Sequence, residues 1–229
     1  MNLIQRLFYR VSKWLTPYKY AFEDEVFPKV ESAQKVRKKK LKTKEKRKQK
    51  KEDKRSAKAY LDTGAIGIDL VTINNAMNEN KALNRLSRSN AQVAYYYHDE
   101  TYHQIAVKFE KGVSRKYQIR NEQKRKDLTP ILEYKRKSNG DKTHIIPIGF
   151  HGSENDERLL VRFDAKINRG ALKKEEEYLT KLNEEEPIMW YVSIVKQSDE
   201  TAIWYMRVWD KNNNIISQKS FHDYHKFNF

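Results

Sequence analysis

Three stretches near the C-terminal end, 188–195, 202–208 and 215–221, restrict what this chain can fold into more than any other feature. Each is a short run rich in apolar, β-branched and aromatic side chains and bounded by turn residues, as a strand is. Only Ser198-Asp199-Glu200 and residues 211–214 separate them, and links that short return the chain antiparallel. Further strands are expected at 70–73, 92–97, 103–109, 113–119, 131–134 and 143–148. His98-Asp99-Glu100-Thr101 reads as a hairpin loop, Ser138-Asn139-Gly140 as a turn, and 149–156 as a loop. Residues 76–86 and 168–183 read as helices. The expected class is α+β, an antiparallel sheet core with the helix carrying Asn168 against the strand carrying His144.

Charge is unevenly spread. Residues 35–58 hold fifteen Lys and Arg against Glu45, Glu52 and Asp53, a net +12 that leaves about +4 of the total +16 for the rest of the 229 residues. With no Gly or Pro and few apolar residues between 30 and 59, this is a solvated spacer or a sequence-independent phosphate contact, extended or helical. Before it, Leu3, Ile4, Leu7, Phe8, Val11, Trp14 and Leu15 share one helical face, with Arg6, Arg10 and Lys13 off it. Such a helix lies on an anionic membrane or docks on protein. The organisation is therefore an amphipathic segment at 1–29, a polybasic linker at 30–59 and a folded domain at 60–229.

Several chemistries are disfavoured. Without cysteine there are no disulfides, thiolate zinc sites or cysteine nucleophiles. No apolar run is long enough for a membrane-spanning helix, and Arg6, Arg10 and Lys13 interrupt any cleavable signal. Gly64 and Gly67 lack the lysine of a phosphate loop, and His98 and His103 give no zinc spacing. Trp190, Trp204, Tyr205 and Trp209 read as core rather than as a base-stacking platform.

The constellation that carries chemistry is His144 after a turn, Asn168 about twenty residues on, and Glu176 two helical turns beyond Asn168. A neutral imidazole takes a proton from water, while an amide oxygen and a carboxylate hold a hard divalent cation. Together they suit cleavage of a phosphodiester. Each residue also has a plainer reading: a structural histidine, a helix N-cap, and one member of the solvated Glu175-Glu176-Glu177 run.

The segment Asp141-Lys142-Thr143-His144 resembles the Asp-Arg-Gly-His motif of the DNA/RNA non-specific endonucleases. Ile167-Asn168-Arg169-Gly170-Ala171-Leu172 is similar to that family's Leu-Asn-Gln-Gly-Ala-Trp segment. Val93-Ala94-Tyr95 and Arg120-Asn121 resemble two further family segments, so the likeness spans roughly 60–229. It implies a ββα-metal (His-Me finger) site with magnesium as cofactor, manganese being able to substitute. His144 would be the general base, Asn168 the direct metal ligand, and Glu176 the holder of a metal-bound water. Arg120 would offset phosphate charge, although a generic basic patch with Arg115, Lys116, Lys124 and Arg125 is the alternative. Lys142 stands where the motif has Arg, keeping the charge without the planar fork, and Thr143 stands where it has Gly. His151, a rival base, and Arg169 are candidate substrate contacts.

The function expected is a metal-dependent, largely sequence-independent endonuclease acting on DNA, with RNA as a second substrate. The alternative is a catalytically lapsed module that holds nucleic acid through residues 35–58 and is tethered by residues 2–15; separately, an anionic membrane surface is a candidate partner of both stretches. A non-specific nuclease is toxic in its own cytoplasm, so an inhibitor protein, tight regulation or non-standard export is implied. Cytoplasmic and peripheral-membrane locations both stay open.

Overall fold

The computed structural model describes residues 67–115, 122–151 and 156–229, together with 43–45, 47–48 and 51. The chain divides into two compact units, Met1–Asp53 and Lys54–Phe229. In the first, the described residues are helical and exposed. The amphipathic stretch 2–15 and most of the polybasic stretch lie outside the described residues. Among those described, no helix is long and apolar enough to cross a membrane.

In chain order the second unit contains β1 (Asp69–Thr72), α1 (Glu79–Arg88), β2 (Val93–His98), β3 (Tyr102–Phe109) and a 3-10 turn at Val113–Arg115. Next come α2 (Glu122–Asp127), β4 (Glu133–Tyr134), β5 (Gly140–His144), α3 (Ile148–His151) and a second 3-10 turn at Glu157–Leu159. β6 (Leu160–Asp164) leads into α4 (Ala165–Ile167), a π-helical turn at Asn168–Leu172, and α5 (Lys173–Glu185). The unit ends with β7 (Ile188–Lys196), β8 (Ala202–Trp209), β9 (Ile215–Asp223) and β10 (Phe227–Asn228).

The class is mixed α and β on a mostly antiparallel sheet, ordered β1-β2-β3-β7-β8-β9. The C-terminal meander forms as its three apolar runs and short links predict, β7 pairing with β8 and β8 with β9. One edge departs from expectation, because β1 runs parallel to β2. The chain leaves β1 through α1, and a helical crossover is what a parallel neighbour requires. Asn78 caps α1 by accepting from the Lys81 N–H at 2.9 Å.

Period-2 alternation then sorts the two faces of the sheet. Ile105, Val107, Phe109, Trp190, Val192 and Ile194 share a core with Phe150, Phe163, Leu172 and Leu179. Their neighbours Ala106, Met189 and Tyr191 turn the other way and pack with Ala82 and Leu86 of α1. So α1 covers one face, and the β5–β6 pair with its helix covers the other. Trp190, Trp204 and Trp209 are buried as expected, whereas Tyr205 is exposed.

Three expected elements shift. Of the strand expected at 113–119, the described part, Val113–Arg115, is a 3-10 turn, because the Ser114 N–H finds its acceptor in Asn183 Oδ1 (3.0 Å) rather than in a neighbouring strand, and 116–119 lie outside the described residues. The strand at 143–148 starts earlier, at Gly140, where pairing with Asp164 begins, and it ends at His144. Finally, β4 pairs with the two-residue β10, which its short sequence does not announce.

His98 and His103 face each other across the β2–β3 pair, with Nδ1 atoms 3.2 Å apart. The Arg158 carbonyl 3.1 Å from His103 Nε2 can only accept, so His103 donates from Nε2 and accepts from His98 at Nδ1. Burial, reinforced by His98, pushes His103 down to about 3. A depressed histidine pKa means that the unfolded chain binds the proton first as pH falls below about 6.5. Stability is thus complete above that pH and declines from there toward the folded value. Urea midpoints measured from pH 7 to pH 4 should fall, and His103→Gln should flatten part of the slope. An unchanged slope in the variant would assign the decline to other groups.

Candidate active site

Strand β5 carries Asp141, Lys142, Thr143 and His144, each set by its pairing with β6, from Asp141 opposite Phe163 to His144 opposite Leu160. His144 is the last residue of the strand and only 9% exposed. Immediately after it, Ile145 and Ile146 enter the core, which fixes where the strand must end. The helix following β6 starts three residues earlier than its first apolar positions suggest. Asp164, not Asn168, is the N-cap, its Oδ1 accepting from the Ile167 N–H at 2.9 Å. Asn168 therefore lies inside the helix with its side chain released from capping duty. It begins the π-helical turn, a local widening that recurs at functional sites.

These elements converge on a cavity of about 320 Å³ lined by Arg125, Lys142, Thr143, His144, Asn168 and Glu176. Ser114, Pro147, Ile148, Gly149 and Thr180 complete it. Gly149 is needed there, since a Cβ would stand 2.8 Å from the Ser114 carbonyl oxygen. Lys142 and His144 of one strand thus share a pocket with Asn168 and Glu176 of the helix. Arg169 is not part of the lining. Arg120 lies outside the described residues, and His151 is described only as backbone at the end of α3.

Asp141 orders the amide that faces this cavity. Its Oδ2 accepts from Asn168 Nδ2 at 2.9 Å, and Arg169 grips the same carboxylate through Nε at 2.8 Å and Nη2 at 2.6 Å. The hydrogen bonds from Arg169 hold the Asp141 carboxyl below the usual carboxylate range, against partial burial, with Asn168 adding to the effect. An ionised carboxylate only accepts, so the Asn168 nitrogen must face it and the amide oxygen must point elsewhere. This fixes the amide orientation without appeal to electron density. Asp141 had no role assigned from sequence; Arg169 pairs with it and does not line the cavity.

Lys142 has a different occupation from the one its motif position suggests. Its ammonium donates to the carbonyls of Arg125 (3.0 Å), Lys126 (2.8 Å) and Leu128 (2.6 Å), closing the C-terminal end of α2. Three donors meet three acceptors, and a cation at a helix C-terminus also opposes the helix dipole. In return, Arg125 Nη2 donates to the Lys142 carbonyl at 2.6 Å. The exchange brings the Arg125 guanidinium to the cavity wall. From sequence Arg125 is one member of a generic basic patch, because nothing local separates it from Lys124 and Lys126.

Asn168 and Glu176 are the cavity residues that could hold a metal ion. Among the described residues no cluster of three or more His, Asp or Glu side chains gathers. An amide oxygen and a carboxylate are ligands suited to a hard ion that keeps several of its waters.

Lys142→Met should lose about 2 kcal/mol through its unmet carbonyls. It should also speed amide exchange in 122–127 more than in α5, and equal exchange in both segments would contradict the capping role. Compared with known proteins, the chain matches no family model, no curated protein and no solved structure.

Proposed function

We propose that this chain is a metal-dependent endonuclease of low sequence preference, hydrolysing DNA first and RNA second. The observation that carries the reading is the single cavity shared by His144, Asn168 and Glu176 beside the Arg125 guanidinium. The order β5, β6, helix is the connectivity that a ββα-metal site requires, and the motif likeness to the DNA/RNA non-specific endonucleases points the same way. His144 would accept the proton of a water whose oxygen bonds to phosphorus as the bond to the 3′ oxygen breaks. Burial of His144 on the β5 terminus keeps the imidazole in one position through that transfer. Arg125 would offset the charge that builds on the phosphate oxygens, the role expected for Arg120. Magnesium, or manganese in its place, held through Asn168 and Glu176, would supply Lewis-acid charge at those oxygens.

A second reading is favoured by one observation. Lys142 gives its whole ammonium to α2, and Thr143 is buried where the motif has Gly, so two positions of the motif serve the fold. That is what a lapsed site kept as a nucleic-acid-binding module would look like. Residues 35–58 would then hold the nucleic acid and residues 2–15 would tether the module, and an inhibitor protein would be unnecessary.

Plasmid nicking separates the two. Wild type with magnesium should nick, while EDTA or His144→Ala should abolish nicking without changing the circular dichroism spectrum. Retained DNA binding with no nicking by wild type would favour the lapsed module. Removing residues 1–58 should leave the cutting of short substrates intact in the first reading and remove most affinity in the second.

The Asp141 arrangement makes a separate prediction. Asp141→Ala frees the Asn168 amide to rotate, and losing such a supporting partner costs about 10- to 100-fold in metal affinity. Manganese titration followed by electron paramagnetic resonance reads this directly, and unchanged affinity would remove Asn168 from the metal site.

A further inference from the structure

Between the loop 135–138 and the turn at 224–226 lies a second cleft, of about 580 Å³, that plays no part in the cavity around His144. We infer that this cleft is a contact for single-stranded nucleic acid, with Tyr224 the platform for one base and Arg136 and Lys137 the partners of its phosphates. The inference rests on the polynucleotide reading above and names the strand state that the protein receives.

Tyr224 is the reason to look here. Its ring is 75% exposed, yet it is not loose, because it stacks on His222 with centroids 4.0 Å apart and planes 29° from parallel. His222 is held in turn by Thr201, whose Oγ1 lies 2.9 Å from His222 Nε2. One face of an ordered aromatic ring is thereby presented to solvent, which is what stacking with an unpaired base requires.

Charge around the ring has the matching sign. Glu200 is paired with Lys135, and among the described residues no carboxylate engages Arg136 or Lys137. Lys226 lines the same cleft and donates to the Asp199 carbonyl, adding a further positive charge. The two rims are fixed to each other by Tyr134, which stacks on His225 at 4.5 Å. Gly140 follows closely on the loop and has no room for a Cβ, since Tyr134 Cε2 would be 2.5 Å away. The cleft is therefore formed in advance.

Its place in the fold suits a strand running toward His144. The loop 135–138 feeds directly into β5, with Gly140 at one end of that strand and His144 at the other. Four residue steps of strand span roughly 13 Å, a distance of a few nucleotides. A duplex keeps its base faces stacked on each other, so only an unpaired base can use Tyr224. A membrane contact would call for neighbouring apolar side chains, whereas Ser138, Glu200 and cations surround the ring.

The test is binding by the full chain in EDTA at about 0.2 M salt, which weakens the contribution of the polybasic stretch. The probes are a short labelled pyrimidine single strand, a duplex of the same length, and vesicles containing phosphatidylglycerol. Tyr224→Ala should weaken single-strand binding at least about fivefold, Tyr224→Phe should stay within about twofold, and duplex binding should not change. Arg136→Glu with Lys137→Glu should weaken single-strand binding and lower its salt slope by about 0.7 per cation removed. Equal losses on both nucleic acids, no loss on either, or loss on the vesicles alone would overturn the inference, the last assigning the cleft to a lipid surface. Tyr224-dependent binding in a wild type that never nicks plasmid would sink the nuclease reading and leave this contact standing. Nicking by wild type, with Tyr224→Ala binding the single strand normally, would sink the contact alone.

Discussion

The helix from Ala165 to Glu185 is located by polar groups at its two ends, and the geometry of the candidate site depends on where it lies. At the start, Asp223 from the edge strand β9 accepts from the Asp164 N–H at 2.7 Å and the Tyr134 hydroxyl at 2.5 Å. Its other oxygen accepts from the His225 N–H and Nδ1, so a carboxylate only 1% exposed has four donors. At the far end, Asn183 is fully buried. It accepts from the Ser114 N–H and donates to the carbonyls of Glu110 and Glu186. Leaving any of these groups unmet would cost about 1–3 kcal/mol, which is why the helix has one position rather than several.

Position along the helix axis then becomes orientation at the cavity. Asp164 takes the capping role, and that releases Asn168 to meet Asp141 across the helix and strand. The amide cannot rotate without placing its oxygen against a carboxylate. Arg169, largely exposed, keeps Asp141 ionised and in place, so one surface arginine maintains the order of a group it does not touch. Such indirect positioning is typical of sites where a hard cation is held by few protein atoms.

Lys142 and Thr143 each serve the fold in their own way. Lys142 reaches α2 with a point charge that can serve three carbonyls at once, something a planar guanidinium does less readily. Thr143 is buried between the strands, where a β-branched residue packs well. Rigidity of α2 is the gain, and with it comes Arg125 at the cavity wall.

The sequence by itself determined the strand pattern of 188–221 and the concentration of positive charge in residues 35–58. It also determined the spacing of His144, Asn168 and Glu176. Apolar runs and turn residues are local, so they can be read from a single chain. Tertiary structure decided the rest. The parallel β1, the 3-10 turn at Val113–Arg115 and the short β10 depend on partners far away in sequence, as do the occupation of Lys142 and the presence of Arg125. A backbone amide or an ammonium takes whichever acceptor the assembled fold brings near, and residue type alone does not say which.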